Sequence, residues 1–166
     1  MPFKVYTSRF VLIIALLVAP LYPKAQNKVV ALPTNSNNQI EYLVSVSVPN
    51  TSQAILFKRA LKWMVGSKAY KFKKIDLMDN EFGRLIASGT FIFNVDEVFI
   101  SLKVDVKNNN AQLKVSRFDY NMFVGNIPLN NLSNYKTKEA KILIPQTAEA
   151  MKKLLDNFKK SIVSGS

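Results

Sequence analysis

The sequence predicts an α+β fold in which an antiparallel five-stranded sheet carries two helices on one face, in the order β-α-β-β-β-β-α. Several segments alternate apolar and polar residues, as strands with one buried side do. Two other segments space their apolar residues along one face of a helix. The connections between the later strands are short and contain Asn, which tolerates the left-handed backbone of tight hairpin turns.

The first strand is predicted at residues 41–48, because apolar residues alternate there with serines. Residues 49–52 hold a proline followed by residue types that cap the start of helices. The helix that follows has its apolar residues on one face and ends at Gly66. Its predicted apolar stripe consists of Phe57, Ala60, Leu61, Met64 and Val65.

Four more strands, a polar loop and a second helix are predicted in the rest of the chain. The strands occupy residues 71–78, 84–94, 97–107 and 111–124. The loop, residues 125–141, is rich in Asn and contains Pro128. The second helix is expected to begin at Pro145, since proline suits the first helical turn. Its apolar stripe consists of Met151, Leu154, Leu155, Phe158 and Ile162.

The hairpin turns set the expected register of the long strands. A first turn at Val95 and Asp96 places Phe91 opposite Ile100, with the apolar residues of both strands on one face. We expect this face to be the one that the helices cover.

A second turn at Asn108 and Asn109 places Val104 opposite Leu113, which keeps the same face apolar. Further along the last long strand the apolar residues shift by one position. One extra residue, a β-bulge near Arg117, explains this shift.

Residues 1–25 are predicted to be a removable signal peptide. Lys4 and Arg9 precede the apolar run FVLIIALLVAPL, which is shorter than the ~20 residues that a membrane span needs. Cleavage is expected after Ala25 and places the protein in the periplasm or outside the cell. The alternative is an uncleaved N-terminal anchor.

After cleavage, a flexible lead-in at residues 26–39 precedes a single domain at residues 40–164. Removing Lys4, Arg9 and Lys24 with the leader leaves 20 basic and 11 acidic residues, a net charge of +9. This charge favours an acidic partner, or it serves solubility alone.

The open face of the sheet is the candidate interaction surface. It is expected to carry Ser88, Thr90, Ile92, Phe99, Ser101, Lys103, Lys114 and Ser116. Ile92 and Phe99 are expected to be cross-strand neighbours, flanked by Ser101, Lys103 and Lys114. An exposed sheet with aromatic and basic residues can hold an envelope protein or an anionic polymer. The alternative is a solvated face that the lead-in or the polar loop covers in part.

The chain has no cysteine and no histidine. This excludes thiolate catalysis, cysteine metal sites and catalytic dyads that contain histidine. Glycine-rich phosphate loops are also absent from the sequence. We therefore predict a non-enzymatic binding domain without cofactor, catalytic or metal site. The alternative is a histidine-free enzyme that uses Asp, Glu, Lys or Tyr on an envelope or extracellular substrate.

Two local features have a second interpretation. Asp76, Asp79 and Glu81 surround one turn and offer oxygen ligands for calcium, but their spacing does not match an EF-hand, and a solvated turn is preferred. Trp63 could stack on a ligand, and we expect instead that it seals the C-terminal end of the first helix against the sheet.

The segment Phe57–Trp63 resembles the aromatic-x-Arg-Ala-x-x-Trp signature of an uncharacterised domain family of exported bacterial proteins. That family usually has Tyr at the position of Phe57. The pattern Asp79-x-Glu81-x-Gly83-Arg84-Leu85-Ile86-x-x-Gly89 resembles the acidic turn and strand of the same family. The likeness spans residues 40–163 and implies a TATA-box-binding-protein-like fold and an envelope location. A fold name does not by itself imply nucleic-acid binding, which export also disfavours.

Overall fold

The computed structural model describes residues 32–94, 96–122, 125–129 and 138–165. The strands are β1 Tyr42–Ser47, β2 Lys71–Asp79, β3 Arg84–Phe93, β4 Asp96–Lys107, β5 Asn110–Met122 and β6 Gly125–Pro128. The helices are α1 Gln53–Gly66 and α2 Lys138–Ser164. The predicted signal peptide and residues 26–31 of the lead-in lie outside the described residues.

The strands form one antiparallel sheet in the order β1-β5-β4-β3-β2. The short strand β6 pairs with β5 beyond the end of β1. Both α1 and α2 pack on the same apolar face of this sheet, where their buried residues join a single core. The predicted α+β fold with an antiparallel sheet is confirmed, and β6 is an additional sixth strand.

The predicted loop at 125–141 is wrong at both ends. The strand β6 occupies the start of this range. The sequence does not reveal it, because four residues are too few to show an alternating pattern. α2 begins at Lys138, so that Pro145 lies inside the helix rather than at its start. An internal proline removes one backbone hydrogen bond, a loss that a helix packed on a sheet can tolerate.

The buried side of α1 is rotated relative to the predicted stripe. Val65 is half exposed, whereas Leu56 and Trp63 are buried. The reason is that α1 packs against α2 as well as against the sheet, which widens its buried arc toward Trp63. The sequence pattern of a single helix does not show where a neighbouring helix lies.

The first long hairpin has a different register from the predicted one. Phe93 pairs with Asp96, so Phe91 is opposite Val98 rather than Ile100. Asn94 takes the left-handed conformation at φ 57°. A shift of two residues preserves the face on which each side chain lies, because side chains alternate with a period of two.

The second hairpin has the predicted register. Val104 pairs with Leu113, and Asn109 has the left-handed φ of 65°. The register between β4 and β5 differs by one residue before and after Arg117, which has a φ of 56°. The predicted bulge is therefore confirmed.

The β4–β5 turn also completes the start of α1. The Asn108 side-chain Oδ1 accepts the backbone N–H of Gln53 at 2.9 Å, and Asn109 Oδ1 accepts that of Thr51 at 3.0 Å. The side chain of Ser52, the N-cap residue, makes no capping hydrogen bond. Acceptors that the sequence places more than fifty residues away thus satisfy backbone donors where α1 begins.

Candidate interaction surface

The open face is the side of the sheet opposite α1 and α2, and all five predicted site residues lie on it. Ile92 is 48% exposed, and Phe99, Ser101, Lys103 and Lys114 are partly exposed. The alternate side chains Phe91, Ile100 and Val104 are buried against the helices. The predicted facing of the strands is confirmed by this burial, and the binding role of the five residues remains a prediction.

Ile92 and Phe99 are diagonal neighbours and not directly opposite each other. Phe99 pairs with Thr90, and Ile92 pairs with Glu97. This correction follows from the two-residue shift of the first hairpin. Diagonal neighbours on a sheet stay within reach of an aromatic side chain, so the two still form one apolar edge of the open face.

Thr90 is an exception on the open face, because its side chain is 0% exposed. It lies between Lys71 of β2 and Phe99 of β4 in the sheet register. Its Oγ1 has no hydrogen-bond partner among the described atoms. A buried hydroxyl without a partner costs about 1–3 kcal/mol, so this end of the face is partly desolvated at the expense of stability.

A row of three serines crosses the centre of the open face. Ser88 pairs with Ser101, which in turn pairs with Ser116 on β5. All three are partly exposed. Their small side chains leave a low centre between the apolar edge at Ile92 and a charged row formed by Lys103 and Lys114. Each serine hydroxyl can donate and accept hydrogen bonds.

The charged row is paired with carboxylates. Asp105 forms ion pairs with Arg84, whose Nε lies 2.6 Å away, and with Lys103, whose Nζ lies 2.9 Å away. Partial burial raises the pKa of Asp105, but the hydrogen bonds from Arg84 and Lys103 outweigh it and hold this pKa below its ordinary value. Lys103 and Arg84 share this one carboxylate, so the three side chains together keep a net charge of +1.

Lys114 is engaged in the same way. Its Nζ lies 2.6 Å from Glu41 Oε2, and this hydrogen bond lowers the pKa of Glu41. Arg117 Nε lies 3.0 Å from Asp119 Oδ2 on the bulged strand. The open face therefore combines apolar groups, hydroxyls and internally paired charges, which is a composition typical of protein interfaces.

The acidic residues around the turn after β2 interact with nearby groups of the same chain. Asp79 Oδ1 accepts the backbone N–H of Phe82 at 3.0 Å, and Lys74 lies 2.9 Å from Asp76 and lowers the pKa of that carboxyl. In the part of the chain that the structure describes, no group of three or more carboxylates is placed to hold a metal ion.

A cleft of about 300 Å³ lies at the other side of the molecule, between the start of β2, the end of β3 and α2. It is lined by Lys68, Ala69, Phe93, Gln146, Glu149, Ala150 and Lys153. Its one carboxylate, Glu149, is paired with Lys153 at 2.7 Å. This cleft does not bring together the two carboxylates that acid–base hydrolysis requires.

Trp63 is 3% exposed, so ligand stacking on its ring is excluded. Its Nε1 donates a hydrogen bond to Asn157 Oδ1 at 2.8 Å, and its ring meets Phe158 edge-on at 4.8 Å. Arg59 Nη1 donates to the backbone oxygen of Ile162 at 2.7 Å. Trp63 and Arg59 thus join α1 to α2, a contact that the expected packing of Trp63 against the sheet does not include.

The fold and its open face define an α+β domain of the TATA-box-binding-protein-like (TBP-like) class. Residues 42–121 match the family model described as "Domain of unknown function (DUF4468) with TBP-like fold". The matched range is shorter than the predicted likeness of 40–163 and ends before α2. No curated protein matches the chain.

Two crystal structures show the same fold. A DUF4468 family protein from Bacteroides ovatus has 14% identity and a TM-score of 0.61 over 81% of this chain and 91% of that chain. A TBP-like protein from Parabacteroides distasonis has 14% identity and a TM-score of 0.61 over 78% of this chain and 96% of that chain. At this identity the likeness establishes the fold alone.

The residues that carry the family resemblance are explained by the fold. Arg59 and Trp63 join the two helices, and Gly83 allows the left-handed turn before β3 at φ 66°. A Cβ atom on Gly89 would lie 2.5 Å from the ring of Tyr70, whose hydroxyl donates to the backbone oxygen of Met64. None of these four motif residues is one of the five site candidates, so the motif reports the architecture rather than a binding site.

Proposed function

We propose that the chain is an exported, non-enzymatic domain that binds a partner protein on its open face. The observation that carries this proposal is that, among the described residues, α1 and α2 cover one side of the sheet while Ile92 and Phe99 lie at an apolar edge of the other. An apolar edge beside hydroxyl groups can be buried by a partner at little desolvation cost.

A protein partner fits this face better than an anionic polymer. Lys103 and Lys114 were the predicted anion contacts, and each already lies within 3 Å of a carboxylate of the same chain. A phosphate or sulfate group would have to displace Asp105 or Glu41 and would meet their negative charge. A partner protein needs only hydrogen-bonding groups and apolar side chains at these positions.

Export is supported by the basic N-terminus and the apolar run that follows it. No helix within the described ranges is long and apolar enough to cross a membrane. The test is N-terminal sequencing of the protein recovered from envelope fractions of its host. A mature end at Gln26 supports export with cleavage, whereas recovery in the cytoplasm with the leader intact contradicts it.

Site-specific photo-crosslinking in the host tests the binding role. A photoreactive side chain at Ile92 or at Phe99 is expected to give the same protein adduct, identified by mass spectrometry. The same group at Ile55, an equally exposed residue of α1, is expected not to give it. Ser101→Arg, which raises the centre of the open face, is expected to abolish the adduct.

Adducts that form equally from Ile55, or adducts only with polysaccharide, would overturn the proposal. A fully retained adduct in Ser101→Arg would show that the contact lies elsewhere. Circular dichroism of Ser101→Arg controls for folding, since Ser101 is partly exposed and tolerates a longer side chain without entering the core.

A further inference from the structure

The positive charge of this protein lies on its helices rather than on the open face. α1 contains Lys58, Arg59 and Lys62 and no acidic residue. In contrast, on the sheet Asp105 pairs with Arg84 and Lys103, and Glu41 pairs with Lys114, so these five side chains have a net charge of only +1. Among the described residues, the three bases of α1 thus place positive charge on the side opposite the proposed partner-binding face.

α1 presents an exposed stripe in which aliphatic residues flank two lysines. Ile55, Lys58, Lys62 and Val65 follow one another at spacings of three, four and three, which places them on one helical face. Ile55 is 48% and Val65 is 51% exposed. A helical face that combines aliphatic and basic side chains is suited to a surface that is both anionic and partly apolar.

α2 extends the stripe into one surface. Arg59 Nη1 reaches the backbone oxygen of Val163 at 3.1 Å, so the exposed Val163 lies beside α1. Lys160 is exposed and lies three residues from Asn157, which binds Trp63, so it is on the side of α2 near α1. We call Ile55, Lys58, Lys62, Val65, Lys160 and Val163 the basic helix surface.

We propose that the basic helix surface binds the head groups of anionic phospholipids and lays the domain on a membrane with its open face outward. Lysines attract lipid phosphates, while the aliphatic side chains enter the boundary between head groups and acyl chains. A soluble polyanion would use the lysines and would leave the aliphatic residues exposed. This inference concerns a different surface from the proposed function and does not depend on it.

The expected strength follows from the number of lysines. Each lysine close to an anionic surface increases partitioning about fivefold, so Lys58, Lys62 and Lys160 together contribute on the order of 100-fold. The attraction is screened when the Debye length falls below the size of the contact, near about 0.5 M salt.

A local fluorescent reporter tests the proposal without interference from the apolar leader. Because the full chain has no cysteine, Ile55→Cys or Val163→Cys provides a single site for an environment-sensitive label. With vesicles of phosphatidylethanolamine and phosphatidylglycerol, both labels are expected to shift to the blue, and high salt is expected to reverse the shift. A label at Leu43→Cys, an exposed residue of β1, is expected not to shift.

Charge reversal supplies the matched control. Lys58→Glu/Lys62→Glu, combined with the Ile55 label, is expected to lower partitioning at least tenfold. Lys71→Glu/Lys73→Glu changes the net charge equally on exposed residues of β2 and is expected to leave it within about twofold.

Equal loss in both double variants, an equal shift at Leu43, or no shift at Ile55 and Val163 would overturn the proposal. Binding to soluble polyphosphate without any shift on vesicles would also overturn it, since a free anion would then be the ligand.

Discussion

Substitution of Gly83 is expected to destabilise the fold through two local effects. Gly83 is buried and lies just before β3, and its φ of 66° costs an L residue about 1–2 kcal/mol. A Cβ atom there would lie 2.3 Å from the backbone oxygen of Val106 and 3.1 Å from Cδ of Gln53. Backbone cannot rotate away as a side chain can, so the end of β4 must move.

That movement would also disturb the hydrogen bond from the Val106 N–H to the Gly83 oxygen, which is 2.7 Å long. Loss of a backbone hydrogen bond lowers the free energy of unfolding by about 1 kcal/mol. We therefore expect Gly83→Ala to lower the free energy of unfolding by about 3 kcal/mol. This is a large fraction of the 5–15 kcal/mol that stabilises an ordinary domain, which is about the range expected here.

Urea unfolding followed by the fluorescence of Trp63, the single tryptophan of the chain, measures this loss. With a slope of about 2 kcal/mol per molar urea, the midpoint should fall by about 1.5 M. Gly66→Ala is the matched control: a Cβ there meets nothing within 4 Å, and α1 should gain about 0.5–1 kcal/mol. A midpoint for Gly83→Ala within about 0.3 M of the wild type would refute the reasoning.

Two further predictions concern the helix cap and the paired charges. Asn108→Ala removes the acceptor of the Gln53 N–H and should lower the free energy of unfolding by about 1 kcal/mol. Asn108→Asp keeps the accepting oxygen and should not lower it. Equal urea midpoints for the two variants would contradict this prediction. Asp105 has a depressed pKa in the folded protein because of Arg84 and Lys103, so its stabilising effect is complete above the unfolded-state value of about 4 and is lost as the pH falls through the folded-state value. Urea unfolding at successive pH values should show a smaller acid loss in Asp105→Asn than in the wild type; identical losses would show that the pairing does not stabilise the fold.

The two proposed surfaces make a joint statement about orientation. Ile92 and Phe99 lie on one side of the sheet, and Lys58 and Lys62 lie on the helices that cover the other. A domain laid on a membrane through its helices would keep the open face accessible to a partner. The crosslinking and vesicle experiments use different residues, so either proposal can fail while the other survives.

The five site candidates were predictable as neighbours on one face, because alternation along a strand is a local property of the backbone. The ion pair between Lys114 and Glu41 was not predictable. Glu41 contacts Lys114, 73 residues further along the chain, only because β1 pairs with β5. Asp105 lies only two residues from Lys103 on β4, whereas Arg84 reaches Asp105 because β3 pairs with β4.

By itself the sequence determined the class of fold, the second hairpin, the bulge at Arg117 and the side of the sheet that is buried. These depend on periodicity and on turn residues such as Asn109, whose preferences act over a few neighbouring positions. Only the tertiary structure decided the start of α2, the buried arc of α1 and the capping of Gln53 by Asn108. It also decided that Glu41 pairs with Lys114 and that Asp105 pairs with Arg84, since pairing of charges depends on which distant segments the folded core brings together.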